Sequence, residues 1–132
     1  MQKAILIADD NEAIRRAIRK VLERSLDCTI CGEATNGREL IEKERQLHPD
    51  LIVLDFSMPV MNGLEAARAL KRERPGVPML LFTMFKDRFL EEEAFAAGVS
   101  VVVSKEDGIA MLAECAGALL KQASQNCAPR LH

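Results

Sequence analysis

Four apolar runs of this sequence each stop at polar side chains of types that take part in catalysis or metal binding. The run at 51–54, which is rich in β-branched and other aliphatic residues, stops at Asp55. The other three runs lead into Asp9-Asp10, Thr83 and Lys105. Short apolar runs of this kind, bounded by loop residues, are typical of strands buried on both faces of a sheet.

These polar residues are expected to meet, because the carboxyl ends of parallel strands lie along one edge of a sheet, where α/β proteins bind their ligands. Any one of them alone is weak evidence, since loop polar groups and helix caps commonly follow strands. Five residues of suitable type at four strand ends, nearly a hundred residues apart in the chain, predict a shared pocket.

Three carboxylates in one pocket repel one another unless a cation lies between them. The candidates are Asp9, Asp10 and Asp55, and a backbone carbonyl from the loop after Asp55 could add a further oxygen ligand. Mg²⁺ takes few protein carboxylates and completes its shell with water and phosphate oxygens. Histidine and thiolate are absent from this set, which argues against zinc or copper.

With such a metal in place, one carboxylate can act as a nucleophile on phosphorus and form an acyl phosphate. Asp55 is the candidate, because it stands alone on its strand while Asp9 and Asp10 can hold the metal. The Lys105 ammonium would neutralise charge on the phosphoryl oxygens, and the Thr83 hydroxyl would hydrogen-bond one of them. A salt bridge from Lys105 to Asp55 is expected before phosphoryl transfer.

The elements that position these residues alternate along the chain. Strands are predicted over 4–8, 28–33, 51–54, 79–82 and 101–103. Helical spacing of apolar residues predicts helices from 11, over 37–47, 64–72 and 87–97, and from 109 to about 124. This alternation favours a flavodoxin-like three-layer α/β sandwich, with a five-stranded parallel sheet and five helices. The mixed polarity of 28–33 suits a sheet edge.

The bulk composition sets limits on the function. The 132 residues are 48% hydrophobic and 29% charged, which is ordinary for one soluble globular domain. A net charge of −2 offers no basic surface for nucleic acid or membrane lipid. No apolar run approaches the ~20 residues of a membrane span, and no signal-peptide pattern is present, so a cytoplasmic location is expected.

Several other residues are interpreted as structural. Cys28 and Cys31 have CxxC spacing but fall within a predicted strand, so they are interpreted as reduced, buried thiols rather than a redox or metal pair. His48 has no partner at ligand spacing. Phenylalanines in the second half of the chain are interpreted as packing residues, namely Phe82, Phe89 and Phe95. Phe85 is the exception, because its position two residues after Thr83 would let it tune water access to the site.

The run 55–63, Asp-Phe-Ser-Met-Pro-Val-Met-Asn-Gly, together with the acidic pair, the threonine and the lysine, resembles the receiver domain of two-component response regulators. The resemblance covers about residues 3–123, so we expect a receiver domain over 1–124 and a tail or the start of a linker over 125–132. It implies a strand order of 2-1-3-4-5.

The resemblance also implies roles for individual residues. Asp55 would accept a phosphoryl group from a histidine kinase or phosphotransfer protein, with Thr83 and Lys105 contacting that group. Asp10, Asp55 and the Ser57 carbonyl would bind Mg²⁺, and Asp9 would act mainly through a metal-bound water. The surface of the fourth helix, last strand and last helix would report the state to a downstream protein, an output domain or a second copy.

Three positions depart from the family pattern. Val102 replaces a common aromatic residue, so a swinging ring would not carry the signal, which leaves the 83–87 loop. Glu106 replaces the frequent proline after the lysine. Met84 replaces a small residue and, with the segment 105–107, resembles receivers of LuxR-type regulators. Those carry a DNA-binding domain after the receiver, so this could be a single-domain regulator or part of a longer protein.

Two other functions are weighed against the switch. The first is an interaction or dimerisation module of the same fold that signals without phosphate. The second is a magnesium-dependent aspartyl-phosphate hydrolase, but such an enzyme expects a second acid two residues after the nucleophile, where Ser57 stands. The phosphorylation-dependent switch is preferred, and it is not an enzyme in the ordinary sense.

Overall fold

A five-stranded parallel sheet forms the centre of the protein, and the computed structural model describes residues 2–127, with the side chains of 2–122. Its strands are β1 (Lys3–Ala8), β2 (Cys28–Ala34), β3 (Leu51–Leu54), β4 (Met79–Thr83) and β5 (Val101–Ser104). They lie in the order β2-β1-β3-β4-β5, and every neighbouring pair is parallel. The predicted flavodoxin-like architecture and the predicted strand order are confirmed, with β2 at an edge.

Five helices connect the strands: α1 (Glu12–Ser25), α2 (Gly37–Leu47), α3 (Gly63–Glu73), α4 (Arg88–Ala96) and α5 (Ile109–Cys127). Short polar side chains cap four of their amino ends and accept a hydrogen bond from the first turn; these caps are Asn11, Asn36, Asn62 and Asp87. Such caps satisfy backbone N–H groups that lack a partner within the helix. The local sequence therefore fixes where these helices begin.

The helices cover both faces of the sheet and bury two apolar cores. On one face α1 and α5 pack over side chains such as Ile5, Ile7 and Val53. On the other face α2, α3 and α4 pack over Leu6 and Leu54. Because successive strand side chains point to opposite faces, a strand covered on both sides needs a continuous apolar run.

The two cysteines of the CxxC spacing illustrate this alternation. Cys28 is buried in the core beneath α1 and α5, whereas Cys31 packs against the core on the opposite face. Both are free thiols, and burial raises the pKa of each. Thiols on opposite faces of one strand cannot form a disulfide with each other, in agreement with the structural interpretation.

Two further predictions concern the end of the domain and the lack of a membrane-spanning segment. The helix α5 continues to Cys127, a few residues past the expected end of the periodic pattern. The remainder of the expected tail, 128–132, lies outside the described residues, so the boundary at 124 stays a prediction. Among residues 2–127, no helix is both long enough and apolar enough to cross a membrane.

Candidate functional site

The site lies where the chain order of the sheet reverses. From β1 the chain proceeds to β2 on one side, whereas β3 pairs with β1 on the other side. The connections after β1 and β3 therefore diverge and leave a crevice at the carboxyl ends of these strands, which is the usual ligand position in open α/β sheets. Asp9 and Asp10 follow β1 and Asp55 follows β3, so all three carboxylates lie at this crevice.

A single ammonium group bridges two of these carboxylates. The Lys105 Nζ lies 2.9 Å from Asp9 Oδ2 and 3.1 Å from Asp55 Oδ2. The Lys105 side chain is only 11% exposed, and both aspartates are buried. The expected pair with Asp55 is present, and the pair with Asp9 is an addition that the sequence did not predict.

Backbone N–H groups hold the other oxygens of the same two carboxylates. Asn11 N–H donates to Asp9 Oδ1 at 2.9 Å, and Phe56 N–H donates to Asp55 Oδ1 at 2.7 Å. Each aspartate is therefore fixed on one side by backbone and on the other by the ammonium. This arrangement restricts the rotation of both carboxylates, whereas Asp10 is exposed.

The electrostatic environment of the pair is set by burial and by opposite charges. Burial raises the pKa of Asp55, the Lys105 ammonium opposes that rise, and the Asp9 carboxylate adds to it. For Lys105 burial alone would lower the pKa, but its hydrogen bonds and charge attraction to Asp9 and Asp55 prevail and raise the pKa. Lys105 is therefore a cation throughout the neutral range.

The acidic cluster has the composition of a site for a hard divalent cation. One carboxylate oxygen from each of Asp9, Asp10 and Asp55 lies within 4.8 Å of the others. Carboxylate oxygens are the ligands that Mg²⁺ and Ca²⁺ prefer, and neither imidazole nor thiolate belongs to the group. The residues present fit a magnesium ion. Ser57 is exposed two residues after Asp55, and its role as a ligand stays a prediction.

The loop after Asp55 brings the start of α3 back into contact with the end of β3. Gly63 N–H donates to the Phe56 carbonyl at 2.8 Å, and a Cβ on Gly63 would lie 2.1 Å from the Asp55 carbonyl oxygen. Only glycine fits this contact between helix start and strand end. Val60, within the loop, has a positive φ of 70°, which is unusual for a β-branched residue. The loop therefore holds Asp55 in a fixed place.

Thr83 links the crevice to an aromatic surface. Its side chain is fully buried, and its Oγ1 accepts a hydrogen bond from Phe85 N–H at 3.1 Å. The Phe85 ring meets the Phe56 ring edge to face, with 6.4 Å between centroids. A change at the Thr83 hydroxyl therefore has a short path through one hydrogen bond to this aromatic pair.

The aromatic pair borders an apolar groove of about 310 Å³ between α3 and α4. We call this the α3–α4 groove; it is lined by Phe56, Leu64, Phe85, Asp87, Phe89, Leu90 and Glu93. Its walls are mostly carbon, and its acidic members lie on α4 and at the cap of that helix. The groove is therefore an apolar surface beside the carboxylate crevice.

The interpretation as packing residues is wrong for two of the phenylalanines, Phe89 and Phe95, whereas Phe85 is expected near the site. Phe85 is 57% exposed and Phe89 is 73% exposed, and Phe95 is exposed as well. The reason is the rotation of α4, because Leu90 and Ala94, four residues apart, take the inward face and turn their neighbours outward. The Leu90–Ala94 spacing was a signal that could have revealed this. Only Phe82 of the four is buried.

The comparison with known protein families matches this site. The model described as the response regulator receiver domain matches residues 5–116. The match begins within β1, spans the other four strands and includes Asp9, Asp10, Asp55, Thr83 and Lys105. The chain belongs to the receiver domain family of two-component response regulators, as its resemblance predicted.

Individual relatives agree with that assignment. The transcriptional regulatory protein LnrK of Bacillus subtilis is 34% identical over 102 residues, which cover 77% of this chain and 46% of that protein. The chemotaxis protein CheY of Thermotoga maritima is 31% identical over 105 residues, covering 80% of this chain and 87% of that protein. Among the first curated relatives the chain spans only 22% to 46% of their length.

Solved structures show the same fold. The crystal structure of a LuxR-family two-component response regulator from Aurantimonas sp. superposes with a TM-score of 0.88 at 29% identity, covering 92% of this chain and 87% of that one. This similarity confirms the predicted likeness to receivers of LuxR-type regulators.

Proposed function

We propose that this receiver domain is a switch that accepts a phosphoryl group on Asp55 with the help of magnesium. The observation that carries the proposal is the Lys105 ammonium shared between Asp9 and Asp55, two buried carboxylates that follow different strands. Placing like charges together in a buried crevice is unfavourable unless a cation opposes them. Such an arrangement suits chemistry that brings further negative charge to Asp55.

The transfer step uses the side chains of the crevice in distinct ways. A carboxylate oxygen of Asp55 attacks phosphorus, a new O–P bond forms, and the N–P bond of a phosphohistidine breaks with its electron pair leaving on the donor imidazole. The Lys105 Nζ lies 3.1 Å from Asp55 Oδ2, so this ammonium would pair with the carboxylate before the transfer and with a phosphoryl oxygen after it. The Thr83 hydroxyl would donate to another of these oxygens.

The metal would be held by Asp9, Asp10 and Asp55, with Ser57 supplying a backbone carbonyl. When bound, magnesium supplies positive charge to phosphoryl oxygens and favours in-line transfer. Attack requires the carboxylate form of Asp55, and burial, which raises the pKa of this group, disfavours that form. The Lys105 ammonium opposes this rise in pKa because its positive charge favours the carboxylate form.

The output would travel through the Thr83 hydroxyl. If this group turns toward a phosphoryl oxygen, the hydrogen bond that it accepts from Phe85 N–H weakens, and Phe85 can move relative to Phe56. Val102 has no ring to swing, so the 83–87 loop and the α3–α4 groove would carry the change. The proposed partners are a histidine kinase or phosphotransfer protein in the cytoplasm, and a downstream protein, output domain or second copy.

The test is incubation of the protein with magnesium and acetyl phosphate, followed by intact mass measurement. We expect the wild-type chain to gain one phosphoryl group and Asp55→Asn to gain none. Asp27→Asn, which removes an exposed carboxylate away from the crevice, is the matched control and should behave as wild type. Omission of magnesium should abolish the gain.

A second candidate is an interaction module that works without phosphate. The observation in its favour is that Phe85 and Phe89 are already exposed beside the unphosphorylated Asp55. If neither acetyl phosphate nor a kinase labels the wild-type chain, this second function replaces the first.

A further inference from the structure

A partly buried guanidinium group contacts the backbone of the acidic pair from outside the crevice. Arg15, on the second turn of α1, donates from Nη1 to the Asp9 carbonyl at 2.7 Å. Its Nε donates to Glu33 Oε1 at 2.9 Å, and its side chain is only 13% exposed. Arg15 thus joins β2, where Glu33 lies, to the turn between β1 and α1.

The contact acts on the peptide group that connects the two aspartates. The carbonyl of Asp9 belongs to the peptide plane shared with Asp10, so a hydrogen bond to it restricts the backbone dihedrals on both sides. Asp9 N–H is bound to the Ala34 carbonyl at 3.0 Å, and Asp9 Oδ1 accepts from Asn11 N–H. The backbone on the amino side of Asp10 is therefore held by several contacts, among them the Arg15 hydrogen bond.

Glu33 holds Arg15 in this orientation. Its second oxygen is occupied by Arg19, whose Nη2 lies 2.6 Å from Oε2, and Lys43 donates to its backbone carbonyl. Burial acts to raise the pKa of Glu33, but the hydrogen bonds from Arg19 and Arg15 prevail and lower it. A planar guanidinium that binds a carboxylate on one edge and a carbonyl on another is fixed in direction.

We propose that Arg15, held by Glu33, is a positioning group that sets the direction of Asp10 and thereby the affinity of the crevice for a divalent cation. The inference rests on the proposed magnesium site and assigns it a supporting pair on α1 and β2. Groups that orient metal ligands from behind typically change metal affinity by ~10–100-fold when they are removed.

A positioning role for Arg15 and a simple effect of its charge predict opposite changes in cation affinity when the residue is replaced. Arg15 is a cation close to the acidic cluster, so removing it would tighten the binding of a divalent cation if charge alone mattered. Loss of a positioning group weakens the binding instead. The direction of the change therefore separates the two explanations, whatever its exact size.

The test is isothermal titration of the folded chain with Mg²⁺ and with Mn²⁺, alongside thermal unfolding to show that each variant is folded. We expect Arg15→Met to bind either ion about tenfold more weakly than wild type. Arg19→Met is the matched control, because Arg19 shares Glu33 but does not contact the Asp9 carbonyl. It should bind as wild type or slightly tighter.

Two further variants keep the test decisive if Arg15→Met does not fold. Arg15→Lys keeps the charge but lacks the planar fork, and should also weaken binding. Glu33→Gln should weaken binding in the wild-type background and have little additional effect beside Arg15→Lys, since it acts through that residue. Additive effects would mean that Glu33 acts through its charge.

The outcomes distinguish this inference from the function on which it rests. If the wild-type chain binds neither ion, the magnesium site and the positioning role are both wrong. If wild type binds but Arg15→Met and Arg15→Lys bind equally well or more tightly, only the positioning role is overturned.

Discussion

Two buried carboxylates of this protein lie in contrasting surroundings. Asp55, at the carboxyl edge of the sheet, is 6% exposed and receives hydrogen bonds from Phe56 N–H and Lys105 Nζ. Glu44, on α2, is 0% exposed, and within the described part of the chain neither of its oxygens has a hydrogen-bond partner. Burial is the main cause that raises the pKa of both.

The difference lies in the groups that face each carboxylate. Arg74 Nε is the cation nearest Glu44, 3.4 Å from Oε2, and it is partly exposed at the end of α3. Asp55 instead faces an ammonium that a second carboxylate also holds. A desolvated charge with complete partners can be kept for chemistry, whereas one without them mainly lowers stability. The side chains around Asp55 compensate its charge, whereas those around Glu44 compensate it only in part.

Removing the Lys105 ammonium should have the largest effect on stability, because Asp55 would then be, like Glu44, a buried carboxylate with too few partners. We expect Lys105→Met to lower the free energy of unfolding at neutral pH by about 4 kcal/mol, since Asp9 and Asp55 lose their shared partner. The raised pKa of Lys105 means that its contribution is complete below the usual lysine range and is lost only above it. Urea unfolding across pH measures this.

The loss should shrink in acid, where Asp55 takes up a proton early because its pKa is raised. Arg45→Met provides the control, because Arg45 pairs with Glu73 on the exposed surface and should contribute less than ~1 kcal/mol. Equal losses for the two variants would show that the buried bridge contributes no more than a surface pair.

The second prediction concerns the backbone that holds Asp55. Gly63→Ala should lower the free energy of unfolding by about 2–3 kcal/mol, because the added methyl group meets the Asp55 carbonyl. Gly76→Ala is its control: a Cβ there meets nothing within 4 Å, so little change is expected. Phosphorylation of the folded fraction of Gly63→Ala should also slow, measured with acetyl phosphate. A stable and fully reactive Gly63→Ala would contradict the tight loop.

The smallest predicted effect is a gain at the other carboxylate. Glu44→Met should raise the free energy of unfolding by about 1–2 kcal/mol at neutral pH, because a buried charge without hydrogen bonds is replaced by an apolar chain. Because the folded-state pKa of Glu44 is raised, the wild-type chain loses stability as pH rises through the interval above the usual carboxyl range.

The gain should therefore vanish in acid and appear as the pH rises, as measured by urea unfolding between pH 4 and pH 7. Glu73→Met, on the neighbouring exposed pair, should show no comparable gain. A destabilised Glu44→Met would mean that the attraction of Arg74 outweighs the burial of the charge.

Much of the fold could be predicted because its signals are local. The apolar runs that lead into Asp55 and Thr83 are buried strands, and Asn11 and Asp87 cap helices at the starts of two segments predicted as helical. The mixed polarity of β2 gave its place at the sheet edge. Strand and helix formation depend on periodicity and caps within a few residues, which a single sequence displays directly.

The pairing of charged side chains was harder to predict from the sequence. The sequence suggested that Lys105 would meet Asp55, but not that Asp9 would share the same ammonium. It also gave no indication that Glu44 is buried or that Arg15 contacts the Asp9 carbonyl. These features depend on how each helix is rotated against the sheet and how far its side chains reach.

The amino-acid sequence by itself determined the alternating strands and helices, the polar residues at the strand ends and the family to which the chain belongs. The tertiary structure alone decided which charges share a partner, which buried carboxylate lacks a hydrogen bond among the described residues and which phenylalanines face solvent. The physical reason is that periodicity acts over a few neighbouring residues, whereas the surroundings of a charge are supplied by segments far apart in the chain.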